Sequence, residues 1–351
     1  MSKLSNRIGY IDEMRGLAMC LVVIGHVFLF SFNIEAHGFI SSFLCGTLQL
    51  PLFFMISGFC VIKHGGEGNN DLIIIKSLLK FVKLVFPTLF FMSIFCLLNQ
   101  ESIISSIKNS SKAGYWYPIS LAEFILFFSI LQYILQKYNK YANIIMLSCI
   151  LLSIIIIPII DVFVYSHFYV MYGLVGCIHF KHFIFFLFGA WLHMNIAKVS
   201  KLIRNGKIIA YLIAFFLIYQ IGAINSDNNL LKYLISYPYC FTCLFLVLTF
   251  FFKETNKNNI IGRNLRYIGK HTLEIYFLHY FFVKMDLHFM GVFFQSHLCP
   301  LLEFVTAAII AFFVIYTSLV VGKILRLNPW ISSHLLGVKT PNERTDSCIN
   351  E

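Results

Sequence analysis

ANIIMLSCILLSIIIIPIIDV, residues 142–162, contains no charged side chain until Asp161. About twenty apolar residues in helical form cross the hydrocarbon core of a bilayer. A core helix of a soluble protein does not need that length of unbroken apolar surface. Residues 301–323, LLEFVTAAIIAFFVIYTSLVVGK, repeat the pattern with charges only at Glu303 and Lys323. Working outward from these two, runs of similar length fall at 15–34, 41–62, 81–99, 119–135, 174–194, 207–224, 233–252 and 271–290. The weakest is 119–135, which holds Glu123 and Gln132. Backbone groups in lipid must be satisfied within the segment, so these runs are helices. The expected fold is an all-α polytopic integral membrane protein with about ten transmembrane helices.

Composition agrees. Of the 351 residues 59% are hydrophobic and 12% charged, too few to solvate an ordinary globular surface. A formal net charge of +11 would suggest nucleic acid in a soluble chain, but here the charges lie between apolar runs. With residue 1 in the cytoplasm, 22 of the 27 basic residues fall on inner segments. Lys108, Lys112 and Lys232 fall outside, and Lys181 and Lys284 fall within spans toward the outer side. This asymmetry places both termini in the cytoplasm and leaves no nucleic-acid role. The N-terminal apolar run is too long for a signal peptide and is followed by no small-residue cleavage site. Residues 1–325 read as one transmembrane domain and 326–351 as a short cytoplasmic tail. The inner loops are expected at 63–80, 195–206 and 253–270. The Cys240–Cys243 pair has metal-ligand spacing but sits in an apolar run, so it reads as packing rather than as a metal site.

Ionisable groups inside spans are functional candidates because burying them is costly. Arg15 and His26 are eleven residues apart, which brings them to within about 20° of one helix face and about 16 Å apart along the axis. Gly25 allows a neighbour to approach beside His26. A neutral imidazole near the midplane suits a general base or acyl relay, and a guanidinium at the inner boundary suits a phosphate. The alternatives are an interhelical hydrogen bond for His26 and a snorkelling role for Arg15. In 271–290, Glu274 and His279 point about 140° apart, whereas Tyr276 and His279 share a face. Glu274 can alternatively pair with Lys270 one turn earlier. His179, Lys181 and His182 form a cluster suited to an anionic group or a sugar, or to the interface alone. Ser57 lacks a neighbouring base, and Ser57–Gly58 reads first as a close-packing site.

Four segments together resemble the acyltransferase 3 family of integral membrane acyltransferases: IDEMRGLAMCLVVIGH (11–26), LQLPLFFMISGF (48–59), GYWYP (114–118) and IGKHTLEIYFLHYFF (268–282). Arg15 and His26 match that family's arginine–histidine pair. The resemblance implies a catalytic role for His26, a donor-binding or structural role for Arg15, and pocket roles for Ser57, Glu274, Tyr276 and His279. It implies transfer of an acyl group, in the first instance acetyl, from acyl-coenzyme A to a hydroxyl of a surface polysaccharide or lipid-linked saccharide. It also implies the bacterial inner membrane, no permanently bound cofactor, and polysaccharide assembly proteins as partners. Where the family often has an arginine pair before the third span, this chain has Lys80 and Lys83, the candidate donor-phosphate contacts. Lysine keeps the charge but loses the bidentate fork. The chain reads as the stand-alone form, without the outer esterase-like domain of some members. A transporter or flippase of a lipid-linked glycan is the competing class, though no internal repeat is visible.

Overall fold

The computed structural model describes residues 9–34, 41–62, 70–168, 173–174, 177–203, 211–213, 215, 229–254, 259–297 and 299–337. Their secondary structure is helical. The helices are α1 (Gly9–His26), α2 (Gln49–Val61), α3 (Asn70–Leu98), α4 (Ile103–Lys108), α5 (Trp116–Lys137), α6 (Ala142–His167), α7 (Phe183–Met194) and α8 (Ile196–Ile203). They continue with α9 (Asn229–Glu254), α10 (Ile260–Lys270), α11 (Thr272–Val283), α12 (His288–Ser296), α13 (Pro300–Leu325) and α14 (Pro329–His334). Two π-helical stretches, Val27–Ser31 and Ser42–Leu48, follow α1 and precede α2.

Among the described residues, six helical stretches are long and apolar enough to cross a membrane: Gly9–Ser31, Phe43–Val61, Ile73–Leu98, Trp116–Lys137, Asn139–Ile157 and Pro300–Leu325. A bent pair, His179–Met194 with Ile196–Ile203, turns by 92°, and Ser236–Phe252 and Thr272–Val283 are shorter apolar helices. The chain is therefore an all-α, multi-pass membrane protein. On α6, Ile144, Leu151, Ile155 and Ile159 recur at helical spacing and are 62–64% exposed. In water each would forgo ~1.5–3 kcal/mol of burial, whereas in lipid this face is the solvated one. By contrast 67% of the α1 span is enclosed by protein, so α1 is an interior helix.

Several expected boundaries change. The run at 207–224 lies largely outside the described residues. The run at 271–290 is not one span: α11 stops at Val283, the chain leaves helical form over Lys284–Leu287, and α12 begins at His288. The Leu287 amide leaves the helical ladder and donates to the Ser31 carbonyl at 3.0 Å. The expected inner loop 63–80 is already helical from Asn70, so Lys76, Lys80 and Lys83 lie on α3 itself. Within 195–206 the helix α8 forms, and within 253–270 the helix α10 forms. The N-cap of α10 is Asn259, whose side chain accepts from the Gly262 amide at 2.7 Å.

The described residues divide into two compact units. The first draws on Met1–Ile62, Phe185–Thr272 and Asp286–Ala311, the second on Lys63–Ile184, Leu273–Met285 and Phe312–Glu351. In the first, glycines set the helix spacing. A Cβ on Gly16 would lie 2.1 Å from the Leu265 carbonyl oxygen, and one on Gly269 would lie 1.9 Å from that of Asp12. This joins α1 to α10 backbone against backbone, the usual role of small residues between membrane helices. Gly58 and Gly189 do the same for α2 and α7, with Phe186 and Met55 carbonyls each 1.8 Å from such a Cβ. The close approach expected at Ser57–Gly58 is thus made by Gly58.

Candidate active site

Arg15, His26 and Ser57 belong to the first unit; Lys80, Lys83, Glu274, Tyr276 and His279 belong to the second. Each group is described within its own unit.

Arg15 and His26 lie on the single helix α1, in the register that their spacing predicts. The first turns of α1 also carry Asp12 and Glu13, both buried. Asp12 lies 3.8 Å from the Arg15 guanidinium, and Glu13 pairs with Arg266 of α10 at 3.3 Å. The acidic pair therefore anchors the start of α1, while Arg15 keeps a side chain 29% exposed. His26 is the last residue of α1 before the backbone widens into the π-helical stretch, where the Phe32 amide reaches the Val27 carbonyl at 3.0 Å. Such stretches are frequent at functional sites. The imidazole is half-buried and meets the Phe30 ring edge-on, with centroids 5.5 Å apart.

The side of α1 at Gly25 is covered by the second π-helical stretch and the start of α2. A Cβ on Gly25 would lie 3.1 Å from Gln49 Oε1 and 3.4 Å from Cys45 Cβ. Pro51 has no amide hydrogen for the Thr47 carbonyl one turn back. That carbonyl instead faces the Cys240 thiol, with Sγ 3.9 Å away. Cys240 thus serves packing between α9 and the π-helical stretch just before Gln49. Ser57 sits half-buried on α2.

In the second unit, α11 is tied to the hairpin before α5. Lys112, Ala113 and Gly114 have φ of 49°, 50° and 96°, three successive left-handed residues. The buried Lys112 ammonium offsets that strain by donating to the carbonyls of Ile107 at 2.6 Å, Gly173 at 2.7 Å and Leu174 at 3.1 Å. Burial pulls its pKa below the ordinary lysine value, and the charge of Glu123 opposes that shift. The Gly114 carbonyl accepts from two hydroxyls, Tyr276 at 3.0 Å and Tyr280 at 2.7 Å, and Tyr115 donates to the Phe277 carbonyl at 3.0 Å. Burial pushes the Tyr115 phenol far above its ordinary value, so it remains a donor. Tyr276 is therefore bound to the hairpin backbone.

His279 is fully buried, pairs with the Ile275 carbonyl at 2.9 Å and lies beside the Tyr276 ring at 5.7 Å, on the face they were expected to share. Glu274 does not pair with Lys270. The helix breaks at His271, and the Glu274 carboxylate is held by Arg326 beyond α13. Lys80 is half-buried and Lys83 exposed, three residues apart on α3. Trp116 stacks on His179, with centroids 3.7 Å apart, and His179 Nε2 pairs with the Ser110 carbonyl at 3.0 Å.

Asp12, Glu13, Gln49, Lys112, Tyr280 and Arg326 were not among the sequence candidates. Gln49 had a visible signal, a lone amide in the apolar run LQLPLFF. Arg326 had none, since a basic residue at a helix end reads as a boundary charge.

Residues 8–322 match the family described as "Acyltransferase domain", acyltransferase 3. No curated protein and no solved structure matches the chain.

Proposed function

This chain belongs to the acyltransferase 3 family, and we propose that it moves an acyl group, first of all acetyl, from acyl-coenzyme A to a hydroxyl of a cell-surface polysaccharide or lipid-linked saccharide. The reading places the protein in a bacterial cytoplasmic membrane, with the donor entering from the inner side and both termini there. His26 is the general base or acyl relay. In the direct route the acceptor oxygen attacks the thioester carbon and a C–O bond forms. The hydroxyl proton passes to neutral His26, the C–S bond breaks, and the imidazolium returns the proton to the thiolate. Arg15 is proposed to meet a donor phosphate within the first unit, and Lys80 and Lys83 are separate candidate phosphate contacts on the second. Ser57 in the first unit and Glu274, Tyr276 and His279 in the second are proposed as supporting residues, each within its own unit.

The observation that carries this reading is the setting of His26. It is a half-buried imidazole on an interior helix, at the point where α-helix gives way to π-helix, beside a glycine approached by a polar side chain. An imidazole so placed retains access while being held by protein. General-base removal typically costs 10²–10⁴-fold. The test is purified protein with labelled acetyl-coenzyme A and a candidate glycan, comparing wild type, His26→Ala and Arg15→Ala. His26→Ala should lose transfer by that order, and Arg15→Ala should chiefly raise KM for the donor. Full transfer by His26→Ala would remove His26 from the chemistry. Absence of donor consumption by wild type with every surface glycan tried would favour glycan transport instead.

A further inference from the structure

The carboxamide of Gln49 has no hydrogen-bond partner among the described residues, and its Oε1 is buried. Ser41 Oγ, fully buried at the other end of the π-helical stretch Ser42–Leu48, is likewise unpartnered among them. An unpaired buried polar group is destabilising, so each one calls for an explanation. Gln49 is also not held at a distance from the candidate chemistry. The missing Cβ of Gly25 lets Oε1 and Nε2 come within 3.1 and 3.6 Å of where that atom would be. Gly25 is the residue before His26, one Cα–Cα step of about 3.8 Å.

A carboxamide with both ends unpaired is complementary to a secondary amide: Oε1 accepts its N–H while Nε2 donates to its C=O. We infer that Gln49 is the docking point for the pantetheine amide nearest the thioester of an acyl-coenzyme A donor, an inference that rests on the acyl-transfer reading of His26. Only an ethylene bridge separates that amide nitrogen from the sulfur. An amide held at Gln49 therefore sets the thioester within one residue's reach of His26. Gln49 is a positioning and donor-specificity residue, and its carboxamide does not take part in proton transfer.

The test compares three acetyl donors with the full-length protein in detergent: acetyl-coenzyme A, S-acetyl-N-acetylcysteamine, which keeps the amide, and S-ethyl thioacetate, which lacks it. Gln49→Leu should lower kcat/KM about tenfold to a hundredfold for the first two, the effect of two neutral hydrogen bonds. It should leave the poor reaction of the third unchanged. Gln49→Asn, which withdraws the carboxamide by one methylene, should show the same pattern and decides the matter if the Leu variant does not fold. An equal loss on all three donors, or none on any, overturns the amide pairing. His26→Ala is run alongside. If it transfers from every donor, the site reading itself has failed, whereas a dead His26→Ala with donor-independent Gln49 variants rejects the Gln49 inference alone.

Discussion

The carboxylate of Glu274, near the start of α11, is held by the guanidinium of Arg326, just past the end of α13. Gly322 makes room for the pair, since a Cβ there would lie 2.8 Å from Glu274 Oε2. The side chains are unequally exposed, 5% for Glu274 and 25% for Arg326. Removing Arg326 takes away a guanidinium that holds a buried carboxylate and should cost about 3 kcal/mol or more. Glu274→Gln leaves a guanidinium that water can reach and should cost less. Thermal unfolding in detergent should rank Arg326→Met below Glu274→Gln, with the double variant above the sum of the two. An additive double variant would mean that the two groups are not coupled.

The Gly114 carbonyl accepts from both Tyr276 and Tyr280. Either hydroxyl alone satisfies it, so Tyr276→Phe and Tyr280→Phe should each cost about 1 kcal/mol or less. The double variant leaves a carbonyl unpaired at a left-handed residue and should cost more than the two together. A double-variant cycle on unfolding midpoints reads this directly.

Lys112 spends its ammonium protons on three backbone carbonyls. Lys112→Met should cost about 3 kcal/mol by leaving those acceptors unmet and should expose 103–116 to limited proteolysis. Its folded pKa is depressed, so the unfolded chain holds the proton more tightly and stability rises as pH climbs through the folded value. Wild type should thus gain stability on the alkaline side of neutrality, relative to Lys112→Met. An identical pH profile for the two proteins would refute this.

Two glycines on neighbouring helices separate packing from site geometry. At Gly58 an added Cβ meets the Phe186 backbone at 1.8 Å, so Gly58→Ala must move a helix and should unfold or strongly destabilise the protein. At Gly25 it meets the flexible end of Gln49 at 3.1 Å. Gly25→Ala should keep the unfolding midpoint within a few degrees yet reduce acyl transfer. Comparable midpoints for both variants would contradict the packing seen at Gly58.

Much of the candidate site was legible because helical periodicity is a local property. Arg15 and His26 share α1 as their spacing demands, and Tyr276 and His279 share a face of α11. Glu274 shows where locality fails. Its turn-distance partner Lys270 is cut off by the break at His271, and the partner that holds it lies beyond another helix. Arg266 beside Glu13 is a similar case, because α10 falls in a stretch whose polarity reads as loop although one face of it packs on α1.

The sequence by itself determined the membrane body, because apolar length against a hydrocarbon core is a property of the chain alone. It also determined the Arg15–His26 register and the family resemblance. Tertiary structure alone decided where the broken runs divide, which charges pair, that Tyr276 secures the turn before α5, and that Gln49, beside Gly25, has no partner among the described residues. Those outcomes depend on which backbones approach within van der Waals distance. Residues far apart in sequence settle them, chiefly through glycines that have no side chain to hold a neighbour away.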